Sequence, residues 1–311
     1  MVTSNRVLNV EVAMSSRRLA ASFRHAGVAA AYAYRPPYPA ELFDTLEELI
    51  VDELRAVLDI GAGDGALARP LAERVDRVDA VEISAAMVDA GRRRPGGQRS
   101  NLVWLVEPAE RMTACGPYGL VTAGASLHWM DPTTTLDRID RLLAPSAVLA
   151  VVDQRYHQLP WQDALIEVIV AHTRNSTYDP GFSLPDALAK QGLFDIHGRS
   201  ETGPVTFTQP VRDYIEQFHS TASLARELMS ADEATRFDDK VAAVVREYEQ
   251  DGQLSFPITA SVVWGRPIER ACNNVSSTIL LTRGTTYSQQ WQSGCKAGFT
   301  ASRQDDGLMP G

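Results

Sequence analysis

The sequence predicts an α/β chain built as a doubly wound, mostly parallel sheet with helices on both faces. Three observations carry that expectation. Short apolar runs at 56–60, 78–82, 102–106, 120–127 and 147–153 alternate with helical stretches between residues 40 and 153, the rhythm of βαβ crossovers. The last run, AVLAVVD, is continuously apolar and Val-rich, as in a strand covered on both faces. The first run ends in GAGDG, a tight strand-to-helix turn, and an acid, Glu82, ends the second.

Each element has a local reason. Pro39 precedes AELFDTLEELI, where Leu42, Phe43, Leu46, Leu49 and Ile50 share one face, so an amphipathic helix begins there. After the glycine turn a helix is expected over Ala66–Arg74, and another over Ser84–Arg93. Asp131 and Pro132 read as N-cap and first helical residue of a helix running to Leu143. Beyond 153 the rhythm changes to a helix around Trp161–His172 and strands FDIHG (194–198) and PVTFT (204–208). Ser230 and Glu233 form a capping box ahead of Phe237, Val241, Val244, Val245 and Tyr248 on one helical face. SFPITASVVWG (255–265) reads as the last strand, antiparallel and completing the sheet.

Composition narrows the class. Thirty Lys and Arg against 39 Asp and Glu leave a formal charge of −9, which disfavours nucleic acid or an anionic membrane as main partner. Cys115, Cys272 and Cys295 are odd in number and lack a C-x-x-C spacing, so neither a disulfide framework nor a zinc site is expected. Residues 1–22 lack the apolar centre of a signal peptide, and no run reaches the roughly 20 residues of a membrane helix. The expectation is a cytoplasmic protein. From Glu269 the chain turns polar and aperiodic, with ILLT (279–282) as a candidate short strand.

The glycine turn carries the chemistry. Glycines at 61, 63 and 65 let the backbone approach a ligand closely. Glu82 can accept the hydroxyls of a ribose. Gly61-x-Gly63-x-x-Ala66 also fits an NAD(P) fingerprint, so an oxidoreductase is a rival. A pyrophosphate would meet Asp59 and Asp64 at the helix start. Those acids suit a ligand carrying ammonium and sulfonium groups, which favours S-adenosylmethionine.

Five segments in this order resemble the class I S-adenosylmethionine-dependent methyltransferases, in the small-molecule branch called methyltransferase type 11. They are Tyr32-Ala33-Tyr34-Arg35-Pro36-Pro37-Tyr38-Pro39, Asp59 through Gly65, VEISAAMVDAG around Glu82, Pro108-Ala109-Glu110, and LVTAGASLHWMD (120–131). The resemblance runs from about Phe23 to Pro267 and implies a seven-stranded Rossmann-like sheet. It implies a domain over 23–268, with a cofactor core near 40–153 and lid or acceptor segments at 23–39 and 154–230. Residues 1–22 form an extension and 269–311 a tail. It implies cofactor contacts from Tyr32, Arg35 and Tyr38 in the entrance segment, and from Asp59, Gly61, Ala62, Gly63 and Gly65 in the glycine motif. Glu82 matches the ribose acid, Ile83 and Met87 follow it, Ala109 and Glu110 mark the adenine turn, and Ala125 ends strand four. The chain departs from the pattern at Pro108, Gly119 and Pro145-Ser146-Ala147.

Methyl transfer from a sulfonium is an in-line displacement, so positioning dominates and a base is needed only for a protonated acceptor. His128 is the catalytic candidate, either as a base or as a residue that shapes the pocket. Tyr156 and His157 rank behind it as acceptor-lining residues. Trp161, His172, His219 and Trp264 read as packing or surface residues, and Arg92-Arg93-Arg94 as a solvated helix end. Strand four lacks an Asn/Asp-Pro-Pro-Tyr, and Cys115 follows Ala114 rather than Pro. Amino-group and cytosine-C5 methylation are therefore disfavoured. No metal is expected, because Asp131 is committed as a cap and leaves Asp153 without a partner acid. The expected partner is a small-molecule acceptor. A module that binds the cofactor without turning it over is the second rival.

Overall fold

β1 (Ala56–Ile60) lies between β2 (Arg77–Glu82) and β4 (Tyr118–Gly124), and β3 (Leu102–Val106) flanks β2, all in parallel register. β5 (Leu143–Tyr156) continues the parallel half beside β4. In the computed structural model, which describes residues 21–51, 53–156, 158–174 and 182–268, β8 (Gln253–Pro267) then runs antiparallel to β5. The order is β3-β2-β1-β4-β5-β8, with β6 (Phe194–Glu201) beyond β8. His157, Cys272, Cys295 and ILLT (279–282) lie outside the described residues.

The sheet has eight strands where seven were expected. β6 (Phe194–Glu201) and β7 (Val205–Pro210) both pair with the edge of β8 that β5 leaves free. They are an edge strand broken in two. At the break, Thr202 donates its amide to Ala260 O and accepts the Ala260 amide on its hydroxyl. Pro204 has no N–H with which to carry the ladder across.

Alternation along the strands separates two cores. Val57, Leu120, Ala150 and Val262 face the helix Ala40–Glu48 through its Leu42, Phe43 and Leu46. Leu58, Ile60, Val121 and Leu149 face the helix Pro132–Leu142 through Leu136 and Ile139. A third core joins Trp161 and Leu165 to Tyr214, Phe218, Phe237, Val241, Leu254 and Phe256. That third core packs on the first half of β8 through Leu254, Phe256 and Ile258, while Ala260 and Val262 of its second half belong to the core under the helix Ala40–Glu48.

Caps set the helix starts. Ser84 Oγ accepts from Met87 N, Asp131 Oδ1 from Thr134 N at 2.8 Å, and Ser230 with Glu233 closes the capping box reciprocally. Such caps are worth about 1 kcal/mol each. The helix expected over 66–74 is shorter, Ala68–Leu71. Pro70 cannot donate to the preceding turn, so the flanking residues settle into turns. Among the described residues, no helix is long and apolar enough to cross a membrane.

Candidate functional site

The strand order reverses between β1 and β4, and ligands of open α/β sheets bind beyond the strand ends at such a point. The glycine loop follows β1 there. Gly61 has φ +62°, and a Cβ on it would lie 2.5 Å from Ser126 Cβ, so glycine is required for both conformation and space. Gly63 has φ +58°, but its Cβ would meet only Tyr32 Cε1, at 3.6 Å. The space above Gly63 is thus an open cradle.

Glu82 ends β2 and reaches back to this loop. Its Oε2 accepts from Gly63 N at 2.9 Å and its Oε1 from Ser84 N at 2.8 Å. Burial raises its pKa, while the amides of Ser84 and Gly63 oppose the rise. Beneath the loop, Asp59 is 1% exposed. Its Oδ1 accepts from Thr122 Oγ1 at 2.8 Å, and its Oδ2 has no hydrogen-bond partner. Burial pushes the carboxyl up to about 7 against the Thr122 hydrogen bond, with Glu82 adding repulsion.

Asp64 corrects the charge argument. Its carboxylate is buried and meets Arg94 Nε at 2.7 Å, so it is neutralised. Arg94 is accordingly an ion-pair partner, unlike the solvated helix end expected of that run. The case against a pyrophosphate instead rests on Asp59 and on Glu82, whose carboxylate already holds the Gly63 amide.

The entrance segment roofs the loop. Arg35 lies over the Tyr32 ring, 4.2 Å from its centroid, and donates to Ser220 Oγ at 2.6 Å. Among the described residues Arg35 has no carboxylate partner. Tyr38 OH lies 3.1 Å from where a Gly124 Cβ would be. Burial raises the phenol pKa of both Tyr32 and Tyr38, so both remain hydrogen-bond donors at neutral pH. Gln154 Nε2 ties the segment to β5 by donating to Pro36 O and Pro37 O.

At the end of β4, Ala125 is exposed with φ +46° and donates its amide to Val152 O at 2.9 Å. A left-handed alanine stores strain of about 1 kcal/mol or more. His128 follows, its ring 4.4 Å from that of Trp129, which meets Phe23 edge-on at 5.4 Å. His128 opens to solvent, yet protein crowds it on the other sides. That desolvation, and then the Arg35 charge, pushes its pKa down to about 4.

Other candidates are placed differently. Met87 is 1% exposed and packs with Val28, Ala29 and Ala225, so it supports the entrance helix, Ala26–Ala31, which leads into the entrance segment. Ile83, 44% exposed, offers apolar surface at the end of β2. Ala62 and Ala109 are buried, and Glu110 accepts the Asp131 amide at 3.0 Å. Tyr156 donates to Gln217 Oε1 at 2.8 Å. Gly119 is explained by space, since a Cβ there would lie 2.1 Å from Leu54 O. Sequence reasoning missed Gln154, Ser220 and Thr122, which belong to no motif. Among the described residues, no three His, Cys, Asp or Glu converge as a metal site.

Comparison with known proteins fits this geometry. Residues 57–146 match a family model described as a methyltransferase domain. Residues 57–146 thus carry a methyltransferase domain. An uncharacterized methyltransferase of Mycobacterium tuberculosis is 36% identical over 122 residues, 37% of this chain and 60% of the relative. A malonyl-[acyl-carrier protein] O-methyltransferase of Halalkalibacterium halodurans is 29% identical over 116 residues, 35% of this chain and 42% of the relative. The chain thus spans about half the length of the curated relatives it matches. A solved structure from Anaeromyxobacter dehalogenans, provisionally assigned as a type II methyltransferase, shares the fold. Its TM-score is 0.53 at 21% identity, over 75% of this chain and 97% of that one.

S-adenosylmethionine is the cofactor that a methyltransferase domain implies, and the residues present fit it. The cradle above Gly63 is open where a Cβ would intrude. Asp59 Oδ2 is a buried acceptor without a partner beneath the loop, placed to stabilise a cationic ligand through space.

Proposed function

We propose that the chain transfers the methyl group of S-adenosylmethionine to a small-molecule acceptor, with S-adenosylhomocysteine as the second product. The observation that carries this reading is the Glu82 carboxylate bonded to the Gly63 amide at 2.9 Å, beside an open cradle at the switch point. When bound, the cofactor supplies an activated methyl group to the acceptor by in-line displacement. Glu82 keeps free lone pairs for the ribose hydroxyls while it holds the loop. Asp59 favours the positive charge of the donor. Arg35, a cation without a carboxylate partner among the described residues, pairs with the methionine carboxylate. Ile83, Ala109 and Glu110 border the adenine, and Tyr32 and Tyr38 close the roof.

His128 and Ala125 sit at the end of β4 and line the acceptor side. With its pKa pushed down to about 4, His128 stays neutral and serves as hydrogen-bond partner and positioner rather than as a strong base. A carboxylate is the first acceptor class to screen. It needs no deprotonation, and one curated relative is an O-methyltransferase of a malonyl group on a carrier protein.

Calorimetry tests the reading. Micromolar binding of S-adenosylmethionine and S-adenosylhomocysteine, weakened by Glu82→Ala, is expected, with none for NAD(P)H. Absence of binding by either sulfur ligand would sink it.

A further inference from the structure

We infer that Ser220 and His219, which lie in the third core and not on the cleft, are positioning residues that set Arg35 for the methionine half of the cofactor. This inference rests on the cofactor reading above.

Among the described residues the Arg35 side chain makes two hydrogen bonds, and both go to Ser220. Its Nε donates to Ser220 Oγ at 2.6 Å and its Nη2 to Ser220 O at 3.3 Å. Ser220 is fully buried, and its hydroxyl donates onward to Gln217 O at 2.5 Å. One side of the guanidinium is thus fixed, and its plane is set by the Tyr32 ring beneath it. Nη1 remains for a ligand. An arginine on a flexible stem holds a carboxylate best when its fork is oriented in advance.

Ser220 is held from behind. His219, the preceding residue, is 2% exposed. Its Nδ1 lies 2.8 Å from Leu224 O and its Nε2 lies 2.8 Å from Asp238 Oδ1. With an acceptor on each ring nitrogen, the imidazole cannot turn without losing a bond. Asp238 Oδ2 accepts from Arg226 Nη2 at 3.0 Å, and Arg226 also pairs with Glu216 at 2.6 Å. Burial works against the Asp238 charge, but the His219 and Arg226 hydrogen bonds prevail and hold its pKa below the usual range. Phe237 closes the cluster, 5.3 Å from the His219 ring. The short turn Gln217–Ser220 is therefore clamped by a partly buried polar network centred on the buried His219, and its last residue presents both acceptors to Arg35. A core that needed only to be filled would use an apolar side chain at 219.

The test compares two probes by calorimetry, S-adenosylhomocysteine and 5′-methylthioadenosine, which lacks the amino-acid half. Ser220→Ala, His219→Phe and Arg35→Met are each expected to weaken S-adenosylhomocysteine about tenfold. The same variants should bind 5′-methylthioadenosine within twofold of the parent. Combining Ser220→Ala with Arg35→Met should add little, and Ser220→Thr, which keeps the hydroxyl, should restore affinity. His219→Phe retains a ring against Phe237, and Ser220→Ala is small enough to keep the fold intact, so melting curves are expected to stay cooperative. Equal losses for both probes, or none, would overturn the inference. A parent protein that binds neither probe overturns the cofactor reading itself, and this inference with it.

Discussion

Glu82 Oε2 accepts the Gly63 N–H at 2.9 Å, so the acid that ends β2 and the loop that ends β1 form one unit. Replacing Glu82 by Gln turns one of its two acceptors into a donor that faces a backbone amide. One amide, of Gly63 or Ser84, then loses its partner. Glu82→Gln is expected to cost about 1–2 kcal/mol of stability and at least tenfold in S-adenosylhomocysteine affinity. Thermal melting and calorimetry read the two effects separately.

Gly61 and Gly63 should differ in kind. Gly61→Ala forces a positive φ and a methyl 2.5 Å from Ser126 Cβ, so about 2–4 kcal/mol of stability is expected to be lost. Gly63→Ala meets open space and bears the strain of its φ alone, about 1 kcal/mol. Its methyl occupies the cradle, so ligand affinity falls while the melting temperature barely moves. Affinity kept in Gly63→Ala would place the ligand elsewhere.

His128 has a pKa pushed down to about 4, below its unfolded value near 6.5. Protonation is therefore disfavoured in the fold, and stability contributed above pH 6.5 is lost as pH falls toward 4. The stability gap between the parent and His128→Asn should open only within that window. Turnover should show no His128 limb between pH 5.5 and 8, and His128→Ala should lower kcat far more than cofactor affinity. A shared loss of both would reduce it to shaping the pocket.

Asp59 works in the opposite sense. Its pKa is raised to about 7, so near neutrality the unliganded protein carries it partly protonated. A cationic ligand draws the carboxylate form and releases a proton. Binding enthalpies of S-adenosylmethionine measured at pH 6.5 in two buffers of different ionisation heat should differ accordingly. Affinity should rise from pH 5.5 to 7.5, and Asp59→Asn should remove both signals.

Phe237 is fully buried at the centre of the third core. Phe237→Ala is expected to cost about 3–5 kcal/mol. Because β8 runs from that core into the sheet, far-UV and near-UV melting curves of the variant should fall together. Separate transitions would show the third core folding on its own.

Much of the parallel sheet was legible in the sequence. Parallel strands with helices between them leave continuous apolar runs, and caps such as Asp131 and Ser230 are likewise local signals. The glycine turn and Glu82 were legible for the same reason, since each ends a strand. Pairings between distant residues left no such trace. Asp64 was read as a free acid because its partner, Arg94, lies a whole crossover away. Met87 was placed by its position after Glu82, while its burial is set by the entrance helix packed on it. The broken edge strand was visible only as Gly203-Pro204 between two apolar runs, which does not say that both halves share one neighbour. His219 carried no pattern that told packing from a polar clamp.

Pro210 and Gln253 are directly paired partners at the end of the β7–β8 ladder, and the Val211 amide donates to Gly252 O. The helices at 211–216 and 231–245 are thus an excursion from the tip of a hairpin, with both ends fastened side by side. Lengthening an excursion anchored in this way adds little to the entropy of closing it. The excursion also carries Ser220, to which the Arg35 side chain is bonded. Its length can therefore be varied at the stretches around the Gln217–Ser220 turn, whereas loss of that turn would unmoor the entrance segment at the opposite end of the chain.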